Sequence, residues 1–315
     1  MQIKNLTTDY NKDNILHCIG NTPLVRLRNL IADLPESMEI WVKIEGENPG
    51  GSVKDRPAMQ MVLDGIESGQ LTSDKVILDS TSGNTGIALA LIGAILRFPV
   101  SLCMPSNVSK ERKAKILAYG AEIIYTDPLE GSDGAIIQAR ELYKKDSKKY
   151  FKPDQYSNPS NPKAHYLTTG PEIWEQTKGR ITHFIATIGT SGTVMGTGAF
   201  LQEKNPDIVV LAAEPDDSFH GLEGLKHMES SLVPEIYNPS KLNGIIPIPT
   251  EPSYDMARNL AREEGIFAGQ SSGGAVWAAI DQAHRLLDEG VRSAVIVAIL
   301  PDSGDKYYSK GLWEF

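Results

Sequence analysis

Short apolar runs rich in β-branched residues alternate with longer segments of helical periodicity along most of the chain. The short runs predict strands at 38–45, 76–80, 100–104, 121–126, 182–187, 208–214 and 293–299. The longer segments predict helices at 56–69, 85–96, 109–120, about 133–145, 162–178, 194–203, 253–264 and 274–288. Strands that alternate with helices predict βαβ units, and therefore parallel sheets covered by helices on both faces.

Two stretches interrupt this alternation. The proline-rich stretch 152–163 is a plausible domain boundary, and 315 residues suit about two domains. We therefore predict an α/β protein with two three-layer α/β/α domains, each built on a mostly parallel sheet, and a cleft between them. Residues 215–252 show no clear period and predict a long loop, and loops of that length are often functional.

Composition and charge exclude several classes of protein. The formal net charge of −9 disfavours a nucleic-acid partner, and no apolar run is long enough to span a bilayer. The polar N-terminus has no apolar signal core, so we expect a cytoplasmic protein. The two cysteines, Cys18 and Cys103, form no C-x-x-C motif, and the histidines show no paired metal spacing, so we expect no metal site.

Lys54 stands in the stretch "EGENPGGSVKDRPAM", after a glycine turn and at the start of a predicted helix. Surface exposure is the usual state of a lysine, and one interpretation is an ordinary solvated side chain. The other is a reactive amine held at a fixed place. This stretch by itself does not decide between the two.

Loops rich in small polar residues follow the predicted strands at the edge where α/β sheets bind ligands. After strand 76–80 comes "TSGNTG", residues 81–86, and then a helix. The start of a helix attracts anions through its N–H groups and its dipole. The loop is therefore either an anion site or an ordinary turn in which Asn84 or Thr85 caps the helix.

A second such loop, "IGTSGTVMGTG", occupies residues 188–198. It does not match the G-x-x-x-x-G-K-[ST] pattern, so a phosphate monoester fits better than a nucleoside triphosphate. The alternative is a tight strand-to-helix turn. Ser303 follows the last predicted strand and is either a ligand-facing hydroxyl or a turn residue.

Together these features match what pyridoxal phosphate requires. Its aldehyde bonds to a lysine amine, its phosphate needs a helix N-terminus, and its ring nitrogen needs a partner. The candidates for these three tasks are Lys54, the loop 188–198 and Ser303. The loop 81–86 is then available for a substrate carboxylate.

The same motifs carry a family resemblance that extends over nearly the whole chain. The matching stretches are "IGNTPLVRL" (19–27), "NPGGSVKDR" (48–56), "STSGNTGIALA" (80–90), "GTSGTVMGTG" (189–198), "EEGIFAGQSSGGAV" (263–276) and "PDSGDKY" (301–307). In order and content they resemble the cysteine synthase/cystathionine β-synthase family of fold-type II pyridoxal-phosphate enzymes, whose fold is like that of the tryptophan synthase β subunit. The stretch 214–238 looks more like the B-type cysteine synthases, which include members that take O-phosphoserine.

The resemblance implies a role for individual residues. Lys54 would form the Schiff base with pyridoxal phosphate and act as catalytic base. The other cofactor ligands would be Asn84 at the ring hydroxyl, Gly189, Thr190, Ser191, Gly192 and Thr193 at the phosphate, and Ser303 at the pyridine nitrogen. The substrate ligands would be Thr81, Ser82, Gly83 and Thr85 at the α-carboxylate, Gln155 as a further carboxylate ligand, and Gly269 and Ser271 in a loop that closes one side of the site.

The resemblance also implies an activity and an assembly. An O-activated L-serine, either O-acetylserine or O-phosphoserine, would lose its β-substituent through an α-aminoacrylate, and a sulfur donor would add to give L-cysteine. The protein would be a homodimer. The smaller domain, 49–158, would be mobile and carry the carboxylate loop, and the larger one, 1–48 plus 159–315, would bind the cofactor phosphate.

The chain departs from the common pattern at two positions. Ser191 stands where the commonest members have a third glycine, which should not prevent binding by backbone groups. Lys226 stands where some phosphoserine-dependent members have an arginine facing the substrate phosphate, and it is either a ligand there or a surface lysine.

Several alternatives remain open. The sulfur source is sulfide, thiosulfate or a protein thiocarboxylate. A β-replacement that yields cystathionine or a diaminopropionate-type product, a serine or threonine dehydratase, and a non-catalytic module that kept the fold are alternative functions.

Overall fold

The structure, a computed structural model, describes residues 14–81 and 83–314. The strands are β1 Leu24–Arg26, β2 Met38–Ile44, β3 Val76–Ser80, β4 Val100–Pro105, β5 Glu122–Thr126, β6 Tyr150–Phe151, β7 His183–Thr187, β8 Val209–Pro215, β9 Gly244–Ile248 and β10 Ala294–Leu300. The α-helices are α1 Asp55–Glu67, α2 Asn84–Leu96, α3 Lys110–Ala118, α4 Gly131–Lys145, α5 Ser160–Leu167, α6 Thr169–Gln176, α7 Gly192–Lys204, α8 Thr250–Glu264 and α9 Gln270–Asp288.

The chain forms two compact units. The first contains the described residues up to Ile19 together with Asn48–Asn161, and the second contains Gly20–Glu47 and the described residues from Pro162 onward. The predicted domain ranges place the N-terminal segment differently, in the larger domain. Its described part groups with the first unit because Leu16 belongs to that unit's apolar core and Ile19 packs against it.

The first unit is built on a parallel sheet in the order β5-β4-β3-β6. Alternate residues of a strand point to opposite faces, so successive apolar residues of β3 enter different cores. Ile77 packs in a core that contains residues of helices α1, α2 and α3, whereas Leu78 packs with residues of α4. Helices thus cover both faces of the sheet, as the continuous apolar strands predict.

The second unit is built on a sheet in the order β1-β2-β10-β7-β8-β9, in which only β1 runs antiparallel to its neighbour. Strand β10 is buried along its whole length. Its residues Ile296 and Ala298 pack in a core with residues of α8 and α9, and Val297 and Ile299 pack in a core with residues of α6 and α7. The prediction of three-layer α/β/α domains with mostly parallel sheets is confirmed.

One predicted helix is two helices in the structure. The segment 162–178 divides into α5 and α6 at Thr168, whose backbone angles (φ −126°, ψ −67°) are not helical. Pro171 is the third residue of α6, and a proline is tolerated in a first turn, where its missing N–H has no helical acceptor. A new helix start just before Pro171 therefore replaces the continuous helix.

The predicted loop 215–252 contains a strand. Strand β9 pairs in parallel with β8, from Gly244 opposite Leu211 to Ile248 opposite Pro215. It lies at the end of the sheet order and contains Pro247, and proline is tolerated in edge strands because no second neighbour needs its N–H. Its short, proline-containing sequence gives no clear strand period.

Candidate active site

Lys54 is the last residue before helix α1, and the turn that precedes it fixes its backbone. Gly51 has φ +82°, and its N–H donates to the carbonyl oxygen of Asn48 at 2.7 Å. The N–H of Lys54 donates to the hydroxyl of Ser52 at 3.3 Å, and its carbonyl oxygen accepts from the N–H of Ala58 at 3.1 Å. Hydrogen bonds on both sides therefore hold the backbone of Lys54, which is partly buried.

The carboxylate of Asp55 holds the same turn from inside. The N–H of Gly50 donates to its Oδ2 at 2.5 Å, and the residue is fully buried. A Cβ at Gly50 would lie 2.3 Å from Asp55 Oδ1, so glycine is required there for space. The turn that carries Lys54 is thus a rigid, buried structure rather than a flexible surface loop.

The hydroxyl of Thr81 organises the loop after β3. Its oxygen accepts the N–H groups of Gly83 and Gly86, both at 3.0 Å. Gly83 is the N-cap of α2 with φ +140°, a conformation that other L residues rarely adopt. Because Gly83 holds the cap position, the alternative interpretation of Asn84 or Thr85 as an ordinary N-cap is wrong. The predicted carboxylate ligand Ser82 lies outside the described residues.

Gln155 joins this loop from a distant part of the sequence. Its Nε2 donates to the carbonyl oxygen of Ser80 at 2.8 Å, and its Oε1 accepts from the hydroxyl of Thr85 at 2.7 Å. The side-chain amide of Asn161 donates to the Gln155 carbonyl oxygen at 2.7 Å. An amide nitrogen carries two hydrogens, so the second N–H of Gln155 is suited to a carboxylate. The first unit therefore brings together the predicted ligands Thr81, Thr85 and Gln155.

Sequence reasoning missed Arg112, which packs against the same loop. It is 3% exposed on helix α3, and its Cδ would lie 2.3 Å from a Cβ at Gly83. Ser109 caps that helix, since its hydroxyl accepts from the N–H of Arg112 at 3.4 Å. Arg112 lies four residues before the buried Ile116, so helical spacing places the two on one face, and this spacing is the signal that could have identified it.

The turn after β7 contains the predicted phosphate ligands. It lies at the start of α7, where Ser191 is the N-cap with φ +70°. The N–H of Gly192 donates to the hydroxyl of Thr190 at 3.4 Å. Thr187 Oγ1 and Ser191 Oγ are buried and have no hydrogen-bond partner among the described residues. Buried hydroxyls are nearly always hydrogen-bonded, so these two indicate that the turn is built around a ligand.

His165 supports this turn from a neighbouring helix. The residue is 1% exposed, with Nδ1 2.9 Å from Thr169 Oγ1 and Nε2 3.3 Å from Thr193 Oγ1. It therefore links the start of helix α6 to the first turn of α7. A lone histidine in a polar helical segment carries no signal of such a contact.

Ser303 lies at the same edge of the sheet as the phosphate turn, because β10 and β7 are parallel neighbours. It forms an isolated antiparallel bridge with Ala268, and the N–H of Gly269 donates to the carbonyl oxygen of Asp302 at 3.0 Å. Ser271, also a predicted ligand, lies buried in the first turn of helix α9. The second unit thus places Ser303 beside the loop that contains Gly269 and Ser271.

Lys226 is 6% exposed, so its interpretation as a surface lysine is wrong. Its N–H donates to the carbonyl oxygen of Ile188 at 3.0 Å. The carbonyl oxygen of Gly224 would lie 2.2 Å from a Cβ at Gly189. The segment around Gly224 and Lys226, part of the predicted loop 215–252, therefore packs directly on the phosphate turn.

Burial raises the pKa of two further side chains near the strand ends, Asp79 and Cys103. Burial raises the pKa of the Asp79 carboxyl to about 7, the largest effect on that group. Burial, together with the charges of Asp79 and Glu122, raises the pKa of the Cys103 thiol to about 12. The Cys103 thiol therefore stays protonated near neutral pH and is a poor nucleophile. Cys18 and Cys103 are both free.

Within the described ranges, no group of three or more histidine, cysteine, aspartate or glutamate residues could hold a metal ion. The same residues contain no helix with the length and apolar character needed to cross a membrane.

The donor set fits pyridoxal phosphate. The turn 187–193 offers buried hydroxyls and the N–H groups of a helix start, which suit a phosphate group. Lys54 offers an amine on a fixed backbone, and Ser303 offers a neutral hydroxyl.

Comparisons with known proteins agree with this chemistry. The sequence profile of the family described as "Pyridoxal-phosphate dependent enzyme" matches residues 15–302. The cysteine synthase of Aquifex aeolicus is 54% identical over 303 residues, which cover 96% of this chain and 92% of that protein. Cysteine synthase B of Pseudomonas aeruginosa is 43% identical over 300 residues, which cover 95% and 97%.

A solved structure gives the same result. The crystal structure of a cysteine synthase from Entamoeba histolytica superposes with a TM-score of 0.90 at 37% sequence identity and covers 96% of this chain and 91% of that one. Sequence profile, relatives and structure all match almost from end to end. The chain therefore belongs to the cysteine synthase family of pyridoxal-phosphate-dependent enzymes.

Proposed function

We propose that the chain carries out its family's formation of L-cysteine from an O-activated L-serine with the residues described above. Lys54 holds the cofactor, Asn84 binds its ring hydroxyl, Ser303 binds its ring nitrogen, and Gly189, Thr190, Ser191, Gly192 and Thr193 bind its phosphate. Thr81, Ser82, Gly83, Thr85 and Gln155 bind the substrate carboxylate, and Gly269 and Ser271 close one side of the site. The observation that supports this most is the hydrogen-bonded arrangement of Thr81, Thr85 and Gln155, which suits an amino-acid carboxylate.

Bound pyridoxal phosphate supplies an electron sink for the bonds at the substrate's α-carbon. Nζ of Lys54, the residue just before α1, would act as the base that removes the proton from that carbon. The hydroxyl of Ser303 is a neutral partner for the ring nitrogen and does not enforce its protonation, as a carboxylate would. This favours loss of the β-substituent over transamination.

The carboxylate site predicts the effect of Gln155→Leu. This variant keeps the size of the side chain but removes its amide, so it loses the bond to Thr85 and the N–H offered to substrate. A hydrogen bond to a charged group contributes about 1.5–3 kcal/mol, so we expect KM for the serine derivative to rise roughly ten- to hundredfold with cofactor absorbance retained. Steady-state kinetics measure this, and an unchanged KM would argue against the carboxylate site.

We further propose that the donor is O-phosphoserine and that Lys226 binds its phosphate. Lys226 is buried, and its backbone is hydrogen-bonded to Ile188 beside the phosphate turn. A lysine ammonium is a common partner of phosphate oxygens in proteins. A donor with a phosphate leaving group supplies a second anion close to the cofactor phosphate.

The experiment is a comparison of two donors with two variants. O-acetylserine and O-phosphoserine are added separately to the purified yellow protein, and the change in visible absorbance and the cysteine formed with sulfide are recorded. We expect Lys226→Ala to lower kcat/KM for O-phosphoserine at least tenfold. The kcat/KM for O-acetylserine should stay within about twofold of the wild-type value. Lys241→Ala, an exposed lysine from the same segment, is the control. A wild-type response to O-acetylserine alone contradicts this donor assignment, and a response to neither donor favours a dehydratase or another β-replacement.

We also propose that the protein is a cytoplasmic homodimer. The resemblance to the family supports both statements. Light scattering on the purified protein tests the assembly, and a mass of one chain, 34.4 kDa, would contradict it.

A further inference from the structure

Asp79 is a buried carboxyl group at the base of the predicted carboxylate loop. It is the fourth residue of the five-residue strand β3 and is 1% exposed. Its Oδ1 accepts from the N–H of Ser80 at 2.8 Å. Its Oδ2 is buried and has no hydrogen-bond partner among the described residues. A carboxylate in such a place is costly, because burial penalises its charged form.

Ser80 connects Asp79 directly to the substrate site. The N–H of Ser80 is held by Asp79, and its carbonyl oxygen is held by Nε2 of Gln155 at 2.8 Å. The backbone N–H of Gln155 also favours the charged form of Asp79. The next residue, Thr81, organises the loop through its hydroxyl. Asp79 therefore contacts both segments that form the carboxylate site, the loop after β3 and the segment of Gln155.

Charged and titratable groups from several segments of the first unit surround Asp79. Lys152 and Asp154 form an ion pair at 2.5 Å, and at Asp79 the lysine favours the charged form whereas Asp154 opposes it. The charge of Asp79 raises the pKa of Cys103, on the neighbouring strand β4, and that of the partly buried Tyr156. The negative charge of Glu122 also raises the pKa of Cys103, and that of Asp133 raises the pKa of Tyr156. The opposite charges of the ion pair offset each other, so burial dominates and raises the pKa of Asp79 to about 7.

We propose that Asp79 is a positioning residue whose charge state sets the pH range in which the chain binds its amino-acid substrate. In its neutral form Asp79 holds Ser80 and leaves the carboxylate site without a nearby negative charge. In its ionised form it places a buried negative charge next to the site and weakens binding of the substrate carboxylate. The inference rests on the proposed carboxylate-binding role of Thr81, Thr85 and Gln155.

Asp79→Asn tests the inference, because asparagine keeps the shape and can still accept from Ser80 but cannot ionise. In the wild type we expect KM for the serine derivative to rise about tenfold between pH 6 and pH 8.5, because the ionised Asp79 then repels the substrate carboxylate. In Asp79→Asn we expect KM to change much less over this range, with kcat within a few-fold of wild type. Asp74→Asn, an exposed carboxylate in the same unit, should keep the wild-type profile.

Asp154→Asn is the second variant and does not alter the buried carboxyl itself. Asn tolerates the positive φ of +53° at this position. Loss of the Asp154 charge removes a negative neighbour and releases Lys152 to act on Asp79. We therefore expect the midpoint of the pH dependence of KM to move to lower pH. A midpoint that does not move, or moves upward, overturns the inference even if Asp79→Asn fails to fold.

Thermal unfolding reports the charge state without any substrate. The pKa of Asp79 is raised from 3.8 in an exposed chain to about 7 in the folded protein. The folded state therefore binds more protons between these values, so stability falls as pH rises from about 4 through about 7. The Tm of Asp79→Asn minus the Tm of the wild type should therefore increase from pH 5 to pH 8. A difference in Tm that is independent of pH overturns the inference.

The outcomes separate this inference from the proposed function. If Gln155→Leu raises KM and Asp79→Asn removes the pH dependence, both stand. If Gln155→Leu raises KM but Asp79→Asn keeps the wild-type profile, the role of Asp79 is wrong and the carboxylate site stands. If Gln155→Leu leaves KM unchanged, the carboxylate site is wrong and the role of Asp79 fails with it.

Discussion

Lys54→Ala is expected to remove the visible absorbance of the lysine-bound cofactor and to reduce cysteine formation by at least about a thousandfold. The loss is large because one side chain has two tasks, covalent attachment of the cofactor and removal of the substrate's α-proton. The turn of Gly50 and Gly51 is held by backbone contacts and by Asp55, so the variant should fold. Absorbance after reconstitution, turnover with sulfide, and circular dichroism measure these three expectations.

Lys110→Ala is the matched control for this experiment. Lys110 is exposed and stands at the first residue of helix α3 in the same unit, as Lys54 stands just before α1. We expect the control to keep wild-type absorbance and turnover. A Lys54→Ala protein that retains the lysine-bound absorbance would show that a different lysine carries the cofactor.

Gly189→Ala is expected to lower the affinity for pyridoxal phosphate by about ten- to hundredfold. An added Cβ would lie 2.2 Å from the carbonyl oxygen of Gly224, so backbone must move either in the phosphate turn or in the segment that covers it. Overpacking of this kind costs about 1–3 kcal/mol, and 1.4 kcal/mol is tenfold in a binding constant. Titration of the apoprotein with pyridoxal phosphate, followed by absorbance, gives the dissociation constant.

Gly244→Ala separates this effect from general destabilisation. Gly244 lies in edge strand β9 of the same unit, and its added Cβ would meet only a flexible Leu211 methyl group at 3.2 Å. We expect near wild-type cofactor affinity. If Gly189→Ala binds the cofactor as tightly as Gly244→Ala does, the turn 188–193 is not the phosphate site.

Strand prediction succeeded for the central strands and for edge strand β5, and it failed for the other three edge strands. Strand β3 was predicted at 76–80 and is observed at Val76–Ser80, because a strand covered on both faces must be a continuous apolar run. Strands β1, β6 and β9 were not predicted. The first two have three and two residues, and β9 contains Pro247, so none shows a period that sequence analysis can detect.

The site was predicted in the same uneven way. The sequence made candidates of Lys54, the loop 81–86, the turn 188–193 and Ser303, because glycine, small hydroxyl residues and strand ends mark ligand loops locally. The contributions of Arg112, His165 and Asp79 were missed. Each is a residue of an ordinary type, and its burial beside a loop distinguishes it.

The sequence alone determined the α/β class, the parallel sheets, the cofactor chemistry and the family, because these depend on periodicity and on short motifs whose residues are neighbours along the chain. Only the tertiary structure decided how the site is supported. Thr85 and Gln155 are 70 residues apart and hydrogen-bond at 2.7 Å, and the protonation of Asp79 depends on charges brought in by a separate segment. Such contacts depend on the packing of strands and loops from distant parts of the chain, which no local pattern records.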